Sequence, residues 1–206
     1  ELIAFYKLNE EKPGILDKKI AYTSAIQNDR STTFNSKHIE VGKSYTIRDL
    51  LFYMIVYSDN DATMVLNSII DKNIFSKVFS DIGMKEPDYS SSDYKITPRA
   101  YSIFLKELFN GSYLSFRSSE ECLKLLSESE FKDGMLSGLP SNCSAAHKFG
   151  EGGTNNNPNF SESAIIYCGK TPYILTVMMK GNDMKKFPKV SSEISKVAFD
   201  FMSKRT

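Results

Sequence analysis

Two short clusters of residues carry side chains able to do acyl chemistry. Ser58-Asp59-Asn60 sets a hydroxyl, a carboxylate and an amide side by side. His147-Lys148-Phe149-Gly150 sets an amine beside a glycine, where backbone can come close to a ligand. A serine hydroxyl attacks a carbonyl once a neighbouring lysine or another base takes its proton. A lysine can also hold a substrate carboxylate and stabilise the negative charge that develops. Neither cluster is specific by itself. Ser-Asp-Asn between helices is ordinarily a cap, and a lysine on a strand is ordinarily an edge or surface residue.

The elements around these clusters can be read from spacing. Glu1 to Glu11 is the end of a helix, stopped by Pro13-Gly14. Residues 17–45 are polar and turn-rich, with a short extended piece at Lys19-Ile20-Ala21-Tyr22. Thr46 with Asp49 is a capping box, and behind it Ile47, Leu50, Leu51, Met54 and Ile55 fall on one helical face. The polar break Tyr57 to Asp61 separates this helix from a second one through Ala62, Val65, Leu66 and Ile69. A third runs from Ile74 to Ile82 and closes at Gly83. Thr97-Pro98 starts a helix carrying Tyr101, Phe104, Leu105 and Leu108, and another follows from Ser119 to Ser129. Ala145 to Phe149, Ser163 to Cys168 and Tyr173 to Met179 are extended, with Gly169-Lys170 as a hairpin turn. Val190, Ile194, Val197, Ala198 and Phe201 share a face of a closing helix.

Several helices, an antiparallel meander and a final helix make an α+β fold, read here as a single domain over residues 1–206. The strand at 173–179 is apolar along its length, which suits a central position and leaves the sheet short of a partner. The hydrophobic fraction of 41% is enough for a core, and a net charge of +1 argues against a nucleic-acid binder. No apolar run reaches the roughly 18 residues of a membrane helix. The three cysteines, Cys122, Cys143 and Cys168, form no CxxC and no even set, so buried thiols at Cys122 and Cys168 are the expectation. His38 and His147 have no companions at metal-ligand spacing, and neither a metal nor a cofactor is implied.

In chain order and context the two clusters resemble the penicillin-recognising serine hydrolases, the family of class A β-lactamases. That family uses a Ser-x-x-Lys helix start, a Ser-Asp-Asn loop between helices and a Lys-Thr-Gly strand. Leu2 to Lys7 is similar to the stretch after the Ser-x-x-Lys. Gly42 to Ile47, followed by Met54 to Asn60, is the most specific match. Ala146-His147-Lys148 leads into the strand motif, and Ile165-Ile166-Tyr167 and Pro172 to Leu175 resemble the strands after it. The resemblance implies a β-lactamase/transpeptidase-like fold, an antiparallel sheet flanked by a helical cluster and a C-terminal helix. It implies an acyl-transfer site in which Ser58 shuttles a proton, Asn60 holds the substrate amide and Lys148 meets a substrate carboxylate, with Asp59 bracing the loop. Phe149, Gly150 and Glu151 would line the substrate. The implied partners are a β-lactam or a peptidoglycan peptide, and the implied location is extracytoplasmic.

Three departures qualify the resemblance. No serine three residues before a lysine opens an apolar helix, so the family's nucleophile is expected upstream of Glu1 and this chain alone is expected to be inactive. The missing segment would also carry N-terminal strands of the sheet, leaving strand 173–179 uncovered or completed by a second chain. Phe149 stands where the family has a hydroxyl residue. The acids between the Ser-Asp-Asn and Thr97, namely Glu86, Asp88 and Asp93, match no deacylating-loop motif, which points to a persistent acyl-enzyme. The rival reading is an inactive relative that binds cell wall or a protein; a further alternative is a helical domain in which the two motifs never meet.

Overall fold

The computed structural model describes residues 1–25, 33–34, 36–86, 95–154 and 156–204. Helix α1 (Leu2–Glu11) buries Leu2 through Tyr6. It ends before Gly14, whose φ of 91° opens the turn into a 3-10 segment at Ile15–Asp17. Strand β1 (Lys19–Tyr22) pairs antiparallel with β2 (Lys43–Thr46) in a two-stranded sheet. Thr46 then caps α2 (Ile47–Val56) with the full capping box: its hydroxyl accepts from Asp49 N, and Asp49 accepts from Thr46 N. All five residues of the expected stripe on α2 are buried.

Helices α3 (Asn60–Ile69), α4 (Lys72–Asp81), α5 (Pro98–Asn110) and α6 (Phe116–Ser127) follow. Thr97 caps α5 with proline behind it, and Gly83 and Gly111 take positive φ after α4 and α5, as their types require. Helix α6 begins at Phe116, before the expected Ser119, because Ser115 is its side-chain cap. The acids Asp88 and Asp93 lie outside the described residues.

The main sheet runs β3 (Ser144–Thr154), β4 (Asn157–Tyr167) and β5 (Tyr173–Lys180), in that order and all antiparallel. Helix α7 (Phe187–Met202) closes the chain. The sheet has two buried faces. Ala146 and Ile165 join the large core of α1, α2, α3, α5 and α6. Ala145, Ala164 and Ile166 pack on the other side with Met135 and Val177, under α7. The α+β architecture is therefore helical cluster, sheet, closing helix.

Four features differ from the sequence reading. Strand β3 runs on to Thr154 and β4 starts at Asn157, because a ladder tolerates the polar and glycine-rich residues there when both strands pair. Strand β5 lies at an edge of the sheet and not at the centre that its apolar length suits, with β4 as its one strand neighbour among the described residues and its other edge uncovered by a strand, as the sequence reading also expected. Its continuous apolar character reports cover on both faces, by α5 and α7, and says nothing about the number of neighbouring strands. The apolar stripe of α7 points outward, with Val197 69% exposed, while Phe187, Ser191 and Ser195 face the protein. Small serines let the helix approach closely: a Cβ on Gly138 would lie 2.0 Å from Ser192 O.

The fourth difference is chemical. Cys143 and Cys168 form a disulfide, with their Cα atoms 4.8 Å apart, and only Cys122 is a free buried thiol. Cys168 lies just beyond β4, not within it. The register explains the bond. Ser144 pairs with Tyr167, so the next residues outward, 143 and 168, stand opposite each other. Closing a loop of 25 residues removes chain entropy from the unfolded state, worth about 3 kcal/mol. Replacing both cysteines by serine should lower the unfolding free energy by roughly that amount in urea titrations. An unchanged midpoint would show that the bond does not constrain the chain.

Candidate active site

The Ser-Asp-Asn turn is made where α2 ends and α3 begins. Asp59 is the N-cap of α3, its Oδ1 accepting from Asp61 N at 3.0 Å. Its other oxygen accepts from Ile39 N at 2.9 Å, and His38 Nδ1 lies 3.1 Å from Oδ1. The backbone of Asp59 is held as well, its N–H donating to Tyr53 O and its carbonyl accepting from Thr63. The side chain is 0% exposed. Its carboxylate thus ties the turn to residues 38 and 39, in a segment distant in sequence.

Between these anchors Ser58 adopts φ 54°, the one positive value among the described non-glycine residues. A serine held there costs about 1–2 kcal/mol. Strain of this kind persists where surrounding contacts over-determine the backbone, and it aims a side chain that a relaxed turn would point elsewhere.

Strand β3 brings the second cluster. Alternation sends Ala146 and Lys148 to the helical side, and Ala145 and His147 to the α7 side. Lys148 Nζ donates to Ser58 Oγ at 2.7 Å and to Phe149 O at 2.6 Å. The two motifs, 90 residues apart in sequence, meet in one hydrogen bond. Desolvation pushes the Lys148 amine down to about 7, against the opposing pull of Glu151 and Glu162.

These groups open into a cavity of about 480 Å³ lined by Ser58, Asn60, Lys148, Phe149, Gly150 and Glu151. All six residues singled out from the sequence therefore border one space. Their side chains are not equally free. Phe149 is buried, stacked on Phe131 with ring centroids 3.9 Å apart and met edge-on by Phe34 at 5.1 Å. Its ring is committed to packing. The carboxylate of Glu151 accepts from Thr33 N at 2.9 Å and from the Thr33 hydroxyl. Gly150 sits opposite Ser161, where a Cβ would come within 3.3 Å of the serine oxygen. Glu86 is exposed and does not line the cavity.

Sequence reasoning missed part of the wall. Phe34, Thr63 and Ser163 line the cavity, and Phe75, Phe79, Tyr101 and Phe104 form its apolar side from α4 and α5. The periodicity of α5 marked Tyr101 and Phe104 as core positions without showing that this core is hollow. Also unread was a buried set under the sheet. Glu162 accepts from Met135 N at 3.0 Å and from Ser191 Oγ at 2.6 Å, and lies 3.1 Å from His147 Nδ1. His147 Nε2 is buried without a hydrogen-bond partner among the described residues.

Comparison with known proteins gives the family and the fold. The model of the β-lactamase enzyme family matches residues 2–202. No curated protein matches the chain. Among solved structures, PBP-A is similar at a TM-score of 0.76 and 20% identity, over 98% of this chain and 78% of that one. A PBP-A variant solved as an acyl-enzyme complex with penicillin G is similar at 0.75 and 19%, over 98% and 78%. A class A β-lactamase from Mycobacterium abscessus is similar at 0.76 and 18%, over 98% and 81%. At such identities the structural likeness speaks for the fold.

The lysine makes a stability test. Its folded proton affinity, near 7, lies below the ordinary value of 10.5, so between these limits the unfolded chain binds more protons. Stability must then rise with pH across that window through this group. Lys148→Met is expected to remove that part of the rise, read as the difference in urea midpoint between about pH 6 and about pH 9. Equal slopes in the two proteins would show that the folded amine is solvated.

Proposed function

The chain belongs to the β-lactamase enzyme family, and we propose that it carries the proton-relay and substrate-anchoring half of a serine acyl-transfer site for β-lactams or peptidoglycan peptides. The observation that supports this reading most directly is the 2.7 Å contact of Lys148 Nζ with Ser58 Oγ inside the cavity. In the reaction, Ser58 hands a proton to the nitrogen that leaves the attacked carbonyl. Asn60 orients the substrate amide. Lys148, as ammonium, meets the substrate carboxylate, and a bound carboxylate raises its affinity for the proton it then needs. The acyl acceptor for such substrates is the serine of a Ser-x-x-Lys helix start.

Slow release of the acyl group is part of the proposal, and the state of two described acids, Glu151 and Glu86, supports it. Glu151 lines the cavity, but its carboxylate is engaged with Thr33, and Glu86 is turned to solvent outside the cavity. A base free to activate water is the requirement for deacylation. The Cys143–Cys168 disulfide fits an oxidising compartment, which supports an extracytoplasmic location. A second reading, an inactive relative that binds cell-wall peptide, draws on Phe149, whose packed ring replaces a carboxylate-binding hydroxyl.

Intact-mass spectrometry of the full-length protein after penicillin treatment tests the proposal. A persistent adduct of one drug is expected, formed at least about a hundredfold more slowly after Asn60→Ala or Lys148→Ala, the usual loss when a charge-stabilising group is removed. Absence of any adduct, with the drug unconsumed, would favour the binding reading.

A further inference from the structure

The Ser58–Lys148 pair has the parts of a nucleophile and its base, beyond those of a proton relay. We infer that Ser58 is itself an acyl acceptor, activated by Lys148, and that this chain by itself reacts with activated carboxylic esters bearing apolar acyl groups. The inference goes beyond the proposed function and shares with it only the Ser58–Lys148 contact.

Four observations carry it. The hydroxyl is hydrogen-bonded to the amine, which is the contact proton abstraction needs. Burial lowers the amine's proton affinity to about 7, which brings its neutral form within reach near neutral pH. Ser58 sits on a turn with positive φ between two helices, fixed by the buried Asp59 beside it. The nucleophile elbow of other serine hydrolases lies on a strand-to-helix turn, but it shares the strained backbone that exposes a serine Oγ. The cavity also supplies an apolar wall, including Met54, Ile55, Phe79, Phe104 and Leu108, beside a few polar groups. An aliphatic or aryl acyl chain fits that wall, and its ester carbonyl then falls next to Ser58.

The step balances. Ser58 Oγ–H gives its proton to neutral Lys148, and Oγ bonds to the ester carbonyl carbon. The tetrahedral centre collapses, the bond to the alkoxy oxygen breaks, and Lys148 returns the proton to the departing alcohol. The products are one alcohol and one Ser58 ester.

The carboxylates that act on the amine are Glu151 on β3 and Glu162 on β4, and Glu1 borders the same cavity. With these in place the rate should rise with pH to a plateau, with its midpoint near 7.

The test uses the 206-residue chain with p-nitrophenyl butyrate and with an alkyl fluorophosphonate. The expected result is a single adduct mapped by peptide mass to Ser58, with that pH profile. Ser58→Gly and Lys148→Met should each cut labelling at least a hundredfold. Glycine is the informative replacement at Ser58, because it removes the hydroxyl and is at ease at φ 54°. Labelling on another residue, or labelling of Ser58→Gly at the parent rate, overturns the inference. The penicillin experiment separates the two proposals. Ester labelling of Ser58 without a penicillin adduct keeps this inference and removes the β-lactam reading, and a penicillin adduct with an inert Ser58 does the reverse.

Discussion

A carboxylate taken out of water must have its oxygens hydrogen-bonded, or the fold loses several kcal/mol. Asp59, fully buried, meets that demand with two backbone N–H groups and a histidine. The partners come from two stretches: residues 38 and 39 on one side, the first turn of α3 on the other. Satisfying one side chain therefore fixes the end of α2, the start of α3 and the strand-free segment that passes beside them. Ser58 is caught between these fixed points. Its positive φ is the residue of that constraint: the neighbours on both sides are settled first, and the serine takes the conformation that is left.

A second buried carboxylate does the same for the opposite side of the sheet. Glu162 holds Met135 N from a second 3-10 segment at Met135–Gly138, Ser191 from α7 and His147 from β3. The residue next to His147 is Lys148, which points the other way. Strand β3 is thus pinned on one face by a polar set and delivers its lysine to the other. The two carboxylates bracket the site, Asp59 fixing the hydroxyl and Glu162 fixing the strand that carries the amine. Apolar packing holds the layers together, but these polar contacts decide where two side chains 90 residues apart will sit.

How much of this was legible depends on the range of the interaction. Signals that act within one turn read cleanly: the Thr46–Asp49 box, Thr97-Pro98 and Gly83 all stand where their chemistry put them. The α+β class and the family likeness followed from the order of such elements. Signals that need a partner did not read. The Cys143–Cys168 bond depends on the β3–β4 register, which no spacing within the chain announces. Helical periodicity found the stripe on α7 but could not say which side faces the protein, because Ser191 and Ser195 are small enough to pack and one of them bonds Glu162. Ser58 and Lys148 were named from motif order, but their contact is a tertiary fact. Phe34 and the aromatic wall were invisible for the same reason: nothing local marks a residue as lining a hollow.

The substitution at Phe149 gives the site its particular balance. Its ring lies against Phe131 and Phe34, where it shields the region around Lys148 and offers no hydroxyl. Recognition of a carboxylate then falls on the lysine and the backbone. A desolvated amine with a proton affinity near 7 can serve either as a charge or as a base, but not as both at once. In the proposed β-lactam reaction a substrate carboxylate would raise that affinity and fix the ammonium, which leaves Ser58 as a relay. A neutral ester brings no such charge, leaves the amine free to take the serine proton, and finds a nucleophile. In the two proposed reactions the charge of the ligand, acting through one buried lysine, would select which chemistry the pair performs.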